Sequence, residues 1–145
     1  MRSTIKIGLQ LSPSTIHLHH EKTKKVYNNG DILLNGLRTA LQDSALQVIN
    51  EKGCSGGVTH WGQVSLQPNC GRGMATFYRC TPQVTMTIQD CKIKEKQTIL
   101  IQGKKFSGGD HYVLDKALDK ALQSKHLSTI TQNALSEYFP ILELQ

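Results

Sequence analysis

The chain has 145 residues, 38% of them apolar and only 6% aromatic, and 17 Lys and Arg against 11 Asp and Glu give a formal charge of +6. A chain of this length folds as one domain, 1–145, and needs neither metal nor staples to bury a core. No stretch approaches the ~20 apolar residues of a membrane-spanning helix, and neither the P-loop pattern nor a dinucleotide fingerprint occurs.

The N-terminal residues alternate polar and apolar side chains. Ile5, Ile7, Leu9 and Leu11 share one face of a predicted strand. Pro13 interrupts it. Thr15–His20 alternate again, and a turn at Glu21–Lys24 leads into Lys25–Tyr27. Residues 1–27 therefore read as a β-meander.

Asn28-Asn29-Gly30 breaks the chain, and Asp31 is placed to cap a helix. Leu34, Leu37, Leu41, Ala45 and Val48 then recur at spacings of three and four. That periodicity predicts one long amphipathic helix over 31–52, stopped by Gly53.

Residues 57–106 read as a second, antiparallel meander of four or five strands. Met74–Cys80 and Val84–Ile88 are joined by a tight reversal at Thr81-Pro82. Beyond a parity switch at Gln89-Asp90, Cys91 and Ile93 face Ile99 and Ile101 across a turn at Glu95–Gln97. The region 110–139 is helical, opened by Ser107–Asp110, with Val113, Leu114, Ala117, Leu118, Ala121 and Leu122 as its buried stripe. Ser128 caps a last helix that ends before Pro140.

All four cysteines, Cys54, Cys70, Cys80 and Cys91, fall within the central block. Structural thiols, disulfides and a zinc site are all compatible with their number. A hairpin at Thr81-Pro82 would bring Cys91 near Cys70 and leave Cys54 for Cys80, within bonding reach after a small shift. Zinc fits less well, because the spacings are far wider than a C-x₂₋₄-C knuckle.

Cys54 also reads as a nucleophile, with His60 near it and Asp110-His111 later in the chain. Against this, Gly56-Gly57 and the β-like residues after them leave no helix N-terminus to lower the thiol pKa. His17 and His19 fall on one face of a strand, so they form a metal pair only if a third ligand comes from elsewhere. A solvent-facing strand with Ile16 and Leu18 turned inward explains them as well.

The cations group in two glycine-flanked loops, Asn69–Gly73 with Arg72 and Gly103–Gly109 with Lys104 and Lys105. Glycines let backbone N–H groups converge on an anion, though ordinary turns account for both loops. Lys92, Lys94 and Lys96 alternate along the expected strand, as phosphate-tracking rows and protected sheet edges both do. Phe77, Tyr78 and Trp61 are the aromatic candidates beside them, and all three also fit a core.

The sequence thus predicts an α+β fold, a mainly antiparallel sheet from two β-meanders packed against one long central helix and C-terminal helices. The function it favours is a non-catalytic binding or assembly protein, homo-oligomeric, with a basic surface for nucleic acid, nucleotide or an acidic protein. Arg72, Lys92, Lys94, Lys104 and Lys105 would form that surface. The alternatives are a small nuclease or thiol-dependent hydrolase using Cys54, His60 and His111, and a structural subunit of a larger particle. No cofactor is called for. The opening residues resemble no signal peptide, which weighs slightly toward the cytoplasm over secretion after leader removal.

Overall fold

The pairing of the first strand sets the architecture. In a computed structural model, β1 (Lys6–Leu11) lies parallel to β5 (His60–Gln67), with Ile7 beside His60 and Leu11 beside Val64. The structure describes residues 5–12, 14–20, 23–43, 47–49, 53–72, 77–102, 109–123 and 133–134. Among these it is an α+β fold of three sheets and two helices.

The largest sheet is five-stranded and mixed, in the order β4-β1-β5-β8-β9. The short β4 (Gln47–Val48) and β5 run parallel to β1, whereas β8 (Gln83–Asp90) and β9 (Lys96–Gln102) continue antiparallel. A second sheet joins β6 (Cys70–Arg72), β7 (Tyr78–Cys80) and β10 (Gly109–His111) in the order β10-β7-β6. The hairpin of β2 (Ile16–His20) and β3 (Thr23–Tyr27) forms the third.

This corrects the expectation of two antiparallel meanders. Parallel strands cannot be joined by a tight turn. The chain between β1 and β5 therefore carries the β2–β3 hairpin, α1 (Gly30–Asp43) and β4. Thr81-Pro82 is likewise no hairpin turn: it carries the chain from β7 in the small sheet to β8 in the large one.

The long helix is also shorter than its periodicity suggested. α1 spans 14 residues, and Gln47-Val48 has left it for the sheet. There Gln47 N–H donates to the Ile5 carbonyl and Ile49 N–H to the Ile7 carbonyl. β-branched Val48 and Ile49 suit an extended backbone better than a helix. Ala45 lies outside the described residues. Gly30 starts α1 where a Cβ would stand 2.6 Å from Leu11 Cδ1, so a larger residue there would require the Leu11 side chain to shift.

One continuous core lies between these elements. Leu33, Leu34, Leu37 and Leu41 of α1 meet Ile7 and Leu9 of β1, Val64 of β5, and Val84, Met86 and Ile88 of β8. The second helix, α2 (Leu114–Leu122), buries Leu114, Ala117, Leu118, Ala121 and Leu122. It begins later than expected. Gly109–His111 form a strand, and Val113 is exposed rather than part of the buried stripe. Polar contacts fix α2 to the hairpin: the Tyr27 hydroxyl donates to Asp119 Oδ1, Asn29 Nδ2 donates to both Asp119 oxygens, and Lys25 pairs with Asp115 at 3.2 Å. Burial, and then the Asp119 carboxylate, hold the Tyr27 hydroxyl well above the usual tyrosine pKa. The helix expected from Ser128 lies outside the described residues except for helical Asn133 and Ala134.

Leu37 is fully buried between α1 and the sheet. Leu37→Ala should destabilise the fold by about 2–5 kcal/mol, measured by urea unfolding. An unchanged midpoint would show that this face of α1 is not packed.

Candidate functional site

The sequence candidates separate into several places. Cys54 and Cys91 form one disulfide, with Cα atoms 5.5 Å apart, and Cys70 and Cys80 the other, at 4.0 Å. The expected pairs, Cys70 with Cys91 and Cys54 with Cys80, are therefore wrong. Cys70 and Cys80 are direct partners on neighbouring strands β6 and β7. Cys91 lies beyond β8, in the other sheet, where its N–H donates to the Thr59 carbonyl and brings it to Cys54. With both sulfurs oxidised, Cys54 supplies no thiolate, so the thiol-hydrolase reading falls, and the cysteines hold no zinc.

His60 sits apart from His111, at the start of β5. Its Nδ1 lies 2.9 Å from Thr59 Oγ1, and its Nε2 3.6 Å from Asp90 Oδ2, across the β5–β8 ladder. The resemblance to a hydroxyl–His–carboxylate set is superficial. Thr59 Oγ1 accepts the Lys6 N–H at 2.8 Å and stands 3.1 Å from the Lys6 carbonyl, so the β1 backbone occupies the hydroxyl. Burial lowers the His60 pKa despite the opposing pull of Asp90. Asp90 is held below the usual carboxylate range by N–H donors, Lys92 first and then Ile93, with smaller help from His60 and Lys92 charges. Thr59 and Asp90 carried no sequence signal, because only the strand register brings them to His60.

His17 and His19 project from the solvent side of β2, ring centroids 6.2 Å apart, with Ile16 and Leu18 buried behind them. Among the described residues no cluster of three or more His, Cys, Asp or Glu is arranged to hold a metal. A cleft of about 190 Å³ opens between the β2–β3 hairpin and the start of α1, lined by Ser14, Thr15, Asn28 and Asp31 among others. None of the catalytic, metal, anion-binding or disulfide candidates from the sequence lines it.

The small sheet gathers what remains. Its β7 and β10 pair Arg79 with Asp110 and Tyr78 with His111. Strand alternation sends successive side chains to opposite faces. Cys80 points inward, fully buried, with its sulfur near the Leu114 carbonyl of α2. Arg79 and Asp110 point outward and pair at 3.3 Å, each about half exposed. One residue beyond each strand, Phe77 and Tyr112 keep the parity of Arg79 and Asp110 and stack at 4.1 Å, with the His111 ring T-shaped to Tyr112 at 6.4 Å. Arg72 lies over the Tyr78 ring at 4.7 Å. His111 Nδ1 accepts the Val113 N–H, which fixes the tautomer of the neutral ring with its proton on Nε2.

The basic candidates do not converge among the described residues. Arg72 ends β6 in the small sheet, whereas Lys92 and Lys94 lie in the turn joining β8 to β9, next to Glu95 and Asp90. The expected strand through Lys92–Lys96 begins only at Lys96, and Lys94 takes a left-handed backbone, φ 61°. Lys104 and Lys105 lie outside the described residues.

No family model matches this chain, and no curated protein does. Solved structures resemble it in three dimensions. A Xanthomonas campestris protein described as family-model DUF330 superposes with a TM-score of 0.53 at 10% identity, covering 97% of this chain and 86% of its own. The likeness is one of fold. A protein described as a homologue of the neuraminyllactose-binding hemagglutinin from Helicobacter pylori gives a TM-score of 0.46 at 12% identity, over 98% of this chain and 91% of its own. A minor lipoprotein from Acinetobacter baumannii gives 0.39 at 16%, over 88% and 93%.

These findings correct the functional expectation drawn from the sequence. The basic surface for nucleic acid, nucleotide or an acidic protein gives way to dispersed cations and a fold shared with a DUF330 protein. Arg79 and Lys25, moreover, are matched by Asp110 and Asp115. Net charge records composition; it carries no information on where the charges lie.

The His60–Asp90 pair should make the fold acid-sensitive. His60 has a lowered folded pKa, so between that value and about 6.5 the unfolded chain binds more protons and stability rises with pH. Asp90, lowered as well, adds stability above about pH 3.9 that is lost as pH falls through its folded pKa. The urea midpoint should therefore fall as pH is lowered from 7 to 5, and His60→Gln should flatten that slope. A slope unaffected by the substitution would exclude His60 as its source.

Proposed function

We propose that this chain is an extracytoplasmic recognition domain that meets its partner through the outer face of the three-stranded sheet. One observation carries the compartment: all four cysteines are closed into two disulfides. Disulfides persist in oxidising surroundings and are removed by cytosolic thiol pools. This outweighs the slight preference for the cytoplasm drawn from the opening residues.

The recognition surface follows from the same bonds. Cys70–Cys80 staples β6 to β7 at the heart of a sheet whose strands are only three residues long. Three-residue strands hold too few ladder bonds to be rigid alone. A cross-link there supports a fixed outer surface carrying Phe77, Tyr112, Arg79 and Asp110. Tyr112 is 61% exposed while it stacks on Phe77. Arg72 supports the sheet from its β6 edge by covering Tyr78.

Protein recovered from an oxidising compartment should show no free thiol in denaturant and four after reduction. Peptide mapping should return Cys54 linked to Cys91 and Cys70 linked to Cys80. In the chain-entropy model the two closures, spanning 37 and 10 residues, contribute about 4 and about 3 kcal/mol. Stoichiometric free thiols in such protein, or full stability after reduction, would overturn the compartment assignment.

A further inference from the structure

We propose that the outer face of the small sheet binds a pyranose ring of a neutral glycan; this rests on the reading of that face as the recognition surface. Three features lie side by side on it. Phe77 and Tyr112 stack at 4.1 Å with their planes 27° apart, so Phe77 covers one side of the Tyr112 ring and Tyr112 remains 61% exposed. Two residues away in sequence from each ring, on β7 and β10, Arg79 Nη1 and Asp110 Oδ2 stand 3.3 Å apart, and both side chains are about half exposed. Beside Arg79 on β6 is Gly71, where among the described residues no atom lies within 4 Å of the place a Cβ would take. The face thus runs from an apolar plate to a donor–acceptor pair to an open shelf.

A pyranose presents the same sequence of chemistry. One side of the ring is a patch of C–H groups that packs on an aromatic face, and its rim carries hydroxyls that each donate and accept. Two residues of backbone span at most about 7 Å when extended, so a sugar seated on Tyr112 brings its edge hydroxyls toward Arg79 and Asp110. The guanidinium donates and the carboxylate accepts, which replaces the water each loses.

Other occupants fit less well. The Asp110 carboxylate beside Arg79 offsets the attraction a phosphate or sulfate would need. An apolar protein surface laid over the rings would strip water from the same ion pair without replacing its hydrogen bonds.

The test is a titration of isotope-labelled protein with neutral hexasaccharides of β-glucose, α-glucose and N-acetylglucosamine, followed by amide shifts and by saturation transfer to sugar C–H protons. Shifts centred on Phe77, Arg79, Asp110 and Tyr112 are expected with at least one of the three. Tyr112→Ala should weaken that binding about tenfold, the loss of a single stacking contact, whereas Tyr112→Phe should stay within about threefold of the parent. A hexaproline peptide serves as the counter-probe. Peptide shifts on this face without saccharide shifts would overturn the glycan and leave the recognition surface standing. A face unmoved by all four probes would retire both, and saccharide binding insensitive to Tyr112→Ala would place the glycan elsewhere and overturn this assignment.

Discussion

The parallel contact of β1 with β5 is the constraint on which the other features depend. Two parallel neighbours require a long crossover, and here it contains the β2–β3 hairpin, α1 and β4. The apolar stripe of α1 then has a sheet face to cover, formed by Ile7, Leu9, Val64, Met86 and Ile88. β5 also needs an antiparallel neighbour on its other side, and β8 fills that place over eight residue pairs. With β8 committed there, β7 has to find partners elsewhere. It takes β6 and β10, and a second sheet results.

The disulfides follow from that division. Each links segments that already lie together through backbone pairing: Cys70 and Cys80 within the small sheet, Cys54 and Cys91 where the Cys91 N–H meets the Thr59 carbonyl. Neither bond crosses from one sheet to the other. The small sheet is instead held to the body by α2, whose polar side grips Tyr27, Asn29 and Lys25 of the hairpin region while its apolar side enters the core. Among the described residues, only one face of that three-stranded sheet lies against a helix.

That division also explains why a basic composition yields no basic site among the described residues. The lysines at 92, 94 and 96 cap the end of the β8–β9 hairpin, where charge discourages edge-to-edge pairing. Arg79 and Lys25 are balanced by carboxylates brought to them by β10 and α2. What the small sheet gathers is uncharged overall: a ring stack and an ion pair of zero net charge.

Much of the secondary structure was legible in the chain. Period-two alternation marked β1, β2 and β8, and period-three-and-four spacing marked α1 and α2, because local burial patterns follow local geometry. What stayed hidden was decided by partners distant in sequence. Val48 continues the helical period as well as it fits a strand, and only the free edge of β1 selects the strand. Thr81-Pro82 has the composition of a hairpin turn, yet the competition of β5 for β8 makes it a crossing between sheets. The cysteine pairing failed for the same reason, since its register was counted from that turn. For the site, Phe77, Tyr112, Arg79 and Asp110 are separated by up to 35 residues, and no spacing rule unites them. The sequence alone determined the apolar faces of β1, α1 and α2 and gathered all four cysteines into one block. The tertiary structure decided which strands share a sheet, because backbone pairing between distant segments depends on which edges remain open once the core has formed.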